Sequence, residues 1–297
     1  MASLITTDFE IPNEISTGIF KKAQTGSTIA QLCGATPQKF GKQQAWVLTG
    51  APKAELVGEG VNKSETPATY APKVITPFKL QVTMRYSSEV QWADEDTQIG
   101  ILQDLADNAG IALGRALDLV AIHKINPLTG AVASQVESGL VDCTSSATLA
   151  GEAYDGAVEA AAKLVIENGY TPAGIAMDPS LSFGLATQKD GEGRKLYPEL
   201  GFGQTVSNFL GMTAAVSDTI SAKKEIQTAS DLIGVVGQFD AVRWGVQRSI
   251  GAHLIEYGDP DGLGDLQRAN QIALRAEIVY GIGILDEKAF ALIKKGA

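Results

Sequence analysis

The sequence predicts an α+β fold laid out as an elongated plate, with a compact α/β unit inserted between its halves. Three observations predict it. Two strictly alternating stretches lie far apart in the chain, a long helical pattern follows the first, and shorter helix and strand signals fill residues 148–260.

The first alternating stretch runs from 74 to 90. Val74, Thr76, Phe78, Leu80, Val82, Met84, Tyr86 and Val90 fall on one face, with Lys79, Gln81, Thr83, Arg85 and Glu89 on the other. At ~3.3 Å per residue this strand would extend roughly 55 Å, beyond the usual limit of about 10 residues. Pro77 lacks an N–H and suits an edge position or the start of the strand. Ile272, Leu274, Ala276, Ile278, Tyr280, Ile282 and Ile284 form the second stretch, and the two are expected to share one sheet. The long helix is expected over 97–123, with N-cap candidates at 94–97. Its apolar positions include Leu102, Leu105, Ala109, Leu113, Leu117 and Val120, and Asn126-Pro127 is expected to end it.

Residues 148–260 read as the compact unit. A helix is expected over 150–168, capped by Asn168-Gly169, and a strand over 174–178 leads to Pro179 at the head of a second helix. Strands are expected at 212–216, 232–239 and 242–255, and a glycine-rich loop at 188–203. Residues 1–45 read as an arm that must lie across something else, with a short helix starting near Ile11-Pro12-Asn13-Glu14 and showing Ile15, Ile19 and Phe20 on its apolar face. Residues 46–72 read as a projecting loop or hairpin tip of mixed charge. Its Lys53, Glu55, Glu59, Lys63 and Glu65 are the expected inter-subunit contacts, since so long a connection is uncommon unless functional.

The chemistry-bearing residues point away from catalysis. Of 297 residues, 24 are basic and 34 acidic, a net charge of −10, so a freely accessible surface of this sign repels nucleic acid. No secretory signal is expected at the start, and no 18-residue apolar run suggests a membrane span. Cys33 and Cys143 lie too far apart in sequence for a metal knuckle and are expected as buried free thiols. His123 and His253 have no sequence-adjacent ligand or triad partner. Lys189-Asp190-Gly191-Glu192-Gly193-Arg194 lacks phosphate-loop spacing and reads as a surface turn. The run from Asp259 to Asp265 lacks an EF-hand's later ligands and reads as an acidic turn. Neither catalytic residues nor a cofactor or metal is expected.

Short phrases along the chain add to this reading. Leu185, Lys189-Asp190, Gly193-Arg194 and Leu196 come first, then Phe209-Leu210-Gly211-Met212. Leu232-Ile233-Gly234 with Gln238-Phe239-Asp240, Ile272 with Leu274-Arg275-Ala276-Glu277, and Ala289-Phe290 follow. In this order and spacing the chain resembles the major capsid proteins of tailed bacteriophages, the Hong Kong 97-type fold family. The resemblance implies an N-terminal arm over 1–45 and an extended loop over 46–73. It also implies a peripheral domain with a long spine helix and elongated sheet, from 74–143 and 261–297, and an α/β axial domain over 144–260. Asp190, Arg194 and Lys195 become expected axial-loop contacts. The family forms hexamers and pentamers of an icosahedral shell around double-stranded DNA, with a scaffolding protein, a portal and, in some members, cement proteins as partners. No long N-terminal scaffolding segment is read here, which implies a separate scaffold or a mature chain. Some relatives join an extended-loop lysine to a neighbour's asparagine. Lys53 and Lys63 lie in the loop here, but no matching asparagine or activating glutamate is identified, so no crosslink is carried over. An encapsulin-type nanocompartment is the nearest alternative, and a soluble α/β ligand-binding module or enzyme using loop 188–203 is one of another class.

Overall fold

A computed structural model of the chain describes residues 26–50, 53–60, 62–65, 69–92, 95–151, 153–198, 200, 206–226 and 230–296. In chain order the helices are α1 (Thr28–Leu32), α2 (Glu95–His123), α3 (Tyr154–Glu167) and α4 (Pro179–Thr187). The strands are β1 (Gln43–Gly50), β2 (Thr69–Ser87), β3 (Ser146–Leu149), β4 (Gly174–Met177), β5 (Asn208–Phe209), β6 (Met212–Val216), β7 (Leu232–Gly237), β8 (Val242–Ile255), β9 (Gln271–Ile284) and β10 (Phe290–Lys295). The helix expected near 11–20, the N-cap candidate Asp94, and Gly201 and Gly203 of the glycine-rich loop lie outside the described residues.

The two alternating stretches do pair. β2 and β9 run antiparallel from Thr76↔Ile282 to Ser87↔Gln271, in a four-stranded sheet of order β1-β2-β9-β8. At 19 residues β2 spans about 60 Å, because both of its neighbours supply ladder partners in turn. β1 pairs with its first part, from Gly50↔Thr69 to Gln43↔Ile75, and β9 pairs with the rest. Its two prolines sit where the strand has a single partner: Pro72 opposes Trp46 and Pro77 opposes Gly281, so each missing N–H can face an edge without losing a ladder bond. Phe78 is buried and Leu80, Val82 and Met84 pack onto the same core as Ala276, Ile278, Tyr280 and Ile282 of β9, while Lys79 and Gln81 are exposed. The helix α2 closes this core with Ala106, Ala109, Leu113, Leu117 and Val120. At 29 residues it is about 43 Å long.

α2 ends at His123, where the sequence pattern places its end, but it is not Asn126-Pro127 that ends it. Lys124 has a left-handed backbone (φ 55°) and its side chain pairs with Asp142 at 2.6 Å. The chain then folds back, with Ala133 N–H donating to the Lys124 carbonyl at 2.7 Å. This local hairpin ends the helix before the proline can.

The second sheet has six strands in the order β3-β10-β7-β4-β6-β5. Successive residues of its central strands enter different cores. Val235, Ala176 and Leu292 face the core under α2; Val236, Ile175 and Ile293 face the one under α3 and α4. Covered on both sides, β4 and β7 are buried at every position. α4 begins as its sequence suggests, with Pro179 at its first position and the Asp178 carboxylate accepting from Ser180 N–H at 2.8 Å.

The compact unit differs from the reading of 148–260. β8 leaves it to pair with β9 along the elongated sheet, and β10, near the chain end, enters it between β3 and β7. The two halves are thus stitched by strand exchange. Within it, α3 spans 154–167, shorter than the expected 150–168, and β7 ends at Gly237 because Phe239–Ala241 turns into a single 3-10 turn. The arm also differs. From residue 26 onward it packs on its own subunit: α1 lies against α2, β4 and β6, and the Cys33 carbonyl accepts from the Trp244 indole at 2.9 Å. Thr36 N–H donates to the Trp244 carbonyl at 2.8 Å, and a Cβ on Gly245 would lie 1.8 Å from the Thr36 oxygen, so only glycine lets this segment close on β8.

Tyr280 is fully buried between Phe78 and Trp244, and its hydroxyl has no hydrogen-bond partner among the described residues. Tyr280→Phe should therefore raise stability by about 1 kcal/mol, because it removes a desolvated polar group without opening a cavity. Urea unfolding checks this; a lower midpoint for the variant would mean that the hydroxyl is bonded in solution.

Candidate functional site

Surfaces rather than pockets carry the functional signal. β1 and the start of β2 form a two-stranded ribbon in which Trp46 opposes Pro72 and Leu48 opposes Tyr70. Alternation places these four on one face, where Trp46, Leu48 and Tyr70 are 67%, 43% and 57% exposed. An isolated hairpin is marginal in water, and an uncovered aromatic face on one asks for a partner surface. The sequence reading stressed the charges of this segment and missed that face. Alternation of Trp46 and Leu48 with Ala45 and Val47 was the available signal.

At the tip, Lys53, Glu55, Glu59, Lys63 and Glu65 are all exposed. Glu55 is already engaged: its carboxylate accepts from Ser64 N–H at 3.2 Å and from the Ser64 hydroxyl, which holds its pKa below the usual carboxylate range. It closes the tip across nine residues. The structure brings Asp190, Arg194 and Lys195 together in a second turn. Asp190 Oδ1 accepts from Glu192 N–H (2.9 Å) and Arg194 N–H (2.8 Å), Lys189 bridges to Lys195, and the Arg194 guanidinium pairs with Glu192. Asp190 therefore shapes this turn, and Arg194 and Lys195 stand exposed on it.

A buried polar junction lies on α2. Asp118 is completely buried, and its carboxylate accepts five hydrogen bonds: from the Ser27 hydroxyl, Thr28 N–H (2.9 Å), Thr28 Oγ1 (2.8 Å), Ile29 N–H (3.2 Å) and Thr219 Oγ1 (3.0 Å). Burial pushes its pKa up against the pull of those donors. One turn earlier, Arg115 pairs with Asp218 and Glu225. At the end of the helix, His123 Nε2 lies 2.9 Å from the Ile220 carbonyl and 3.2 Å from that of Thr219, so this nitrogen carries the proton. Burial lowers the His123 pKa, against the pull of the two carbonyls. Ser221 reaches across to Asp178. Sequence reasoning missed Asp118; a lone acid inside Ala116-Leu117-Asp118-Leu119-Val120 was the sign of a buried, satisfied charge.

None of this assembles a reaction centre. Burial first, then nearby carboxylates, raises the thiol pKa of Cys33 to about 11 and of Cys143 to about 12. In the acidic turn, Asp261 takes the Arg85 guanidinium side-on at 2.8 and 2.9 Å, and Asp259 and the Gly264 carbonyl complete the grip at 3.1 and 2.8 Å. The arginine holds the place a cation would take. A groove of about 790 Å³ runs between β2, α2 and residues 125–136; its Lys79 and Asp261 are spent on Glu277 and Arg85, and no described residue of loop 188–203 lines it.

The Phage capsid family model matches residues 8–295. The chain belongs to the phage capsid family. A solved chain from Mycobacterium phage Ogopogo is 49% identical with a TM-score of 0.83, covering 91% of this chain and 92% of that one. One from Gordonia phage Cozz is 32% identical with a TM-score of 0.78, covering 91% and 87%. A more distant chain, described as the capsid of a native GTA particle computed with C5 symmetry, is 16% identical, covers 93% and 91%, and at a TM-score of 0.63 shows the shared fold. No curated protein matches. The capsid chain has the Hong Kong 97-type fold; it is a self-assembling structural subunit of the virion and not an enzyme.

Asp118→Ala in this capsid protein should cost roughly 2–4 kcal/mol, since it strands buried donors. Amide exchange at residues 26–33 should rise before that of β2 and β9; equal loosening of both would show that Asp118 does not anchor α1. Asp218 gives a pH prediction. Burial opposes its ionisation, but Lys224 and Arg115 outweigh it and hold its pKa below the usual range. Its contribution is therefore present above the unfolded value of about 4 and is lost as pH falls through the folded one. Asp218→Asn should lose less stability than the parent between pH 5 and pH 3, on the approximate window those values set. Asp118, shifted the other way, is common to both proteins, so parallel acid limbs would refute the Asp218 assignment.

Proposed function

We propose that this chain is the major shell subunit of a tailed phage, forming hexamers and pentamers of an icosahedral capsid around double-stranded DNA. The observation that carries the reading is the family match over nearly the whole chain, joined to a hairpin whose aromatic face is uncovered in the single subunit. In this proposal residues 46–73 act as the extended loop, 74–143 with 261–297 as the peripheral domain, and 144–260 as the axial domain, with β8 and β10 crossing between the last two. The Trp46–Leu48–Tyr70 face supplies apolar burial on a neighbouring copy. Lys53, Glu59, Lys63 and Glu65 add reciprocal rim pairs worth about 0.2–1 kcal/mol each, while Glu55 keeps the tip closed. Asp190, Arg194 and Lys195 make a second set of contacts between copies.

The partners follow from the same reading. A separate scaffolding protein, a portal and optional cement proteins assist assembly, which takes place in the host cytoplasm where the chain is made. DNA is enclosed without sequence-specific binding, in keeping with the net charge of −10. Among the described residues no helix is long and apolar enough to cross a membrane. The phage origin of the solved relatives favours a virus shell over an encapsulin-type compartment.

Electron microscopy of the expressed chain tests the proposal directly. Deleting residues 54–66 should leave a folded subunit and abolish closed particles. A deletion variant that fails to fold would make the tip part of the core, and one that still closes shells would remove the loop from assembly.

A further inference from the structure

The turn between β5 and β6 holds two consecutive residues with left-handed backbone, Leu210 at φ 49° and Gly211 at φ 80°. They lie between Phe209 and Met212, which pair directly, so this is the two-residue hairpin turn in which both central φ angles are positive. Its favoured sequence is Asn-Gly. Gly211 meets the geometry freely, but a leucine there crowds its own Cβ against the following carbonyl. The subunit returns nothing for that strain: Leu210 is 55% exposed, while Phe209 and Met212 on either side of the turn are buried.

The other non-glycine residues with positive φ among those described have reasons inside the chain. Asn270 is of a tolerant type, Lys124 ends α2 and pairs with Asp142, and Ala222 is buried with Leu119 and Ile125. Leu210 alone joins a strained backbone to an exposed apolar side chain. The base of the turn is fixed from within: the Phe209 ring meets the Tyr197 ring edge-on at 5.1 Å.

Strain kept at an exposed position points to a use outside the subunit. We propose that the Leu210–Gly211 turn is a contact between copies of this chain, with Leu210 inserting into a neighbouring subunit. The partner is a second copy because the chain is a self-assembling one, and an apolar tip on an acidic protein suits neither nucleic acid nor an anionic surface. The contact is heterologous: the surface that receives Leu210 is a different part of the same sequence. This inference rests on the shell reading.

The full-length chain with Leu210→Asn, Leu210→Gly and Leu210→Met tests it. Thermal melting of dispersed subunits and the concentration threshold for particles, followed by light scattering, are the two readouts. Asn and Gly should relieve the strain and raise the melting midpoint by roughly 2–4 °C, while raising the assembly threshold about tenfold. Met, apolar and equally strained, should keep both values near those of the parent. A gain in stability with an unchanged threshold overturns the contact. A loss of stability in the Asn variant overturns the strain argument. A parent chain that forms no particles defeats the shell reading and this inference together, whereas parent particles with indifferent variants defeat this inference alone.

Discussion

Asp118 lies where α2, α1 and the turn at 217–226 meet, and it takes five hydrogen bonds because a carboxylate removed from water needs them. The donors come from two segments about 90 residues before it and 100 after it, so satisfying one buried charge fixes both relative to the helix. Arg115 and His123, before and after it on the helix, hold the same turn through Asp218, Glu225 and two carbonyls. That turn leads from β6 to β7, and β7 sits near the centre of the second sheet. The long helix thus locks the elongated sheet on one side and the six-stranded sheet on the other.

This frame supports two unusually long elements. β2 and α2 are each far longer than average, and neither is stable alone: the strand is held by β9, and the helix by the one core it shares with both sheets. The ribbon of β1 and early β2 extends beyond that support. Its Trp46, Leu48 and Tyr70 stay exposed, as suits a part whose burial partner is supplied by another subunit.

The titratable groups tell a consistent story. Where carboxylates cluster, at Asp259–Asp265 and at Asp218–Glu225, arginines from β2 and α2 already occupy them, and the thiols are buried beyond easy ionisation. Charge in this protein is spent on joining elements, which is the requirement of a shell that must keep its shape.

The sequence by itself determined the elements. Alternation at 74–90, which the strand follows as far as Ser87 before Ser88–Trp92 turns into a 3-10 helix, alternation at 272–284, the helical pattern ending at His123, and the Asp178-Pro179 start of α4 are local signals, because the face a residue occupies depends on its neighbours along the chain. Only the tertiary structure decided the partners. Nothing in Val242–Ile255 announces that it pairs with β9 rather than inside the compact unit, and nothing in Phe290–Lys295 announces its place between β3 and β7. Those choices are set by which sheet edges the folded chain brings into contact. The same holds for Asp118, which reads as a blemish in an apolar run until the donors of Ser27, Thr28, Ile29 and Thr219 converge on it from distant parts of the chain.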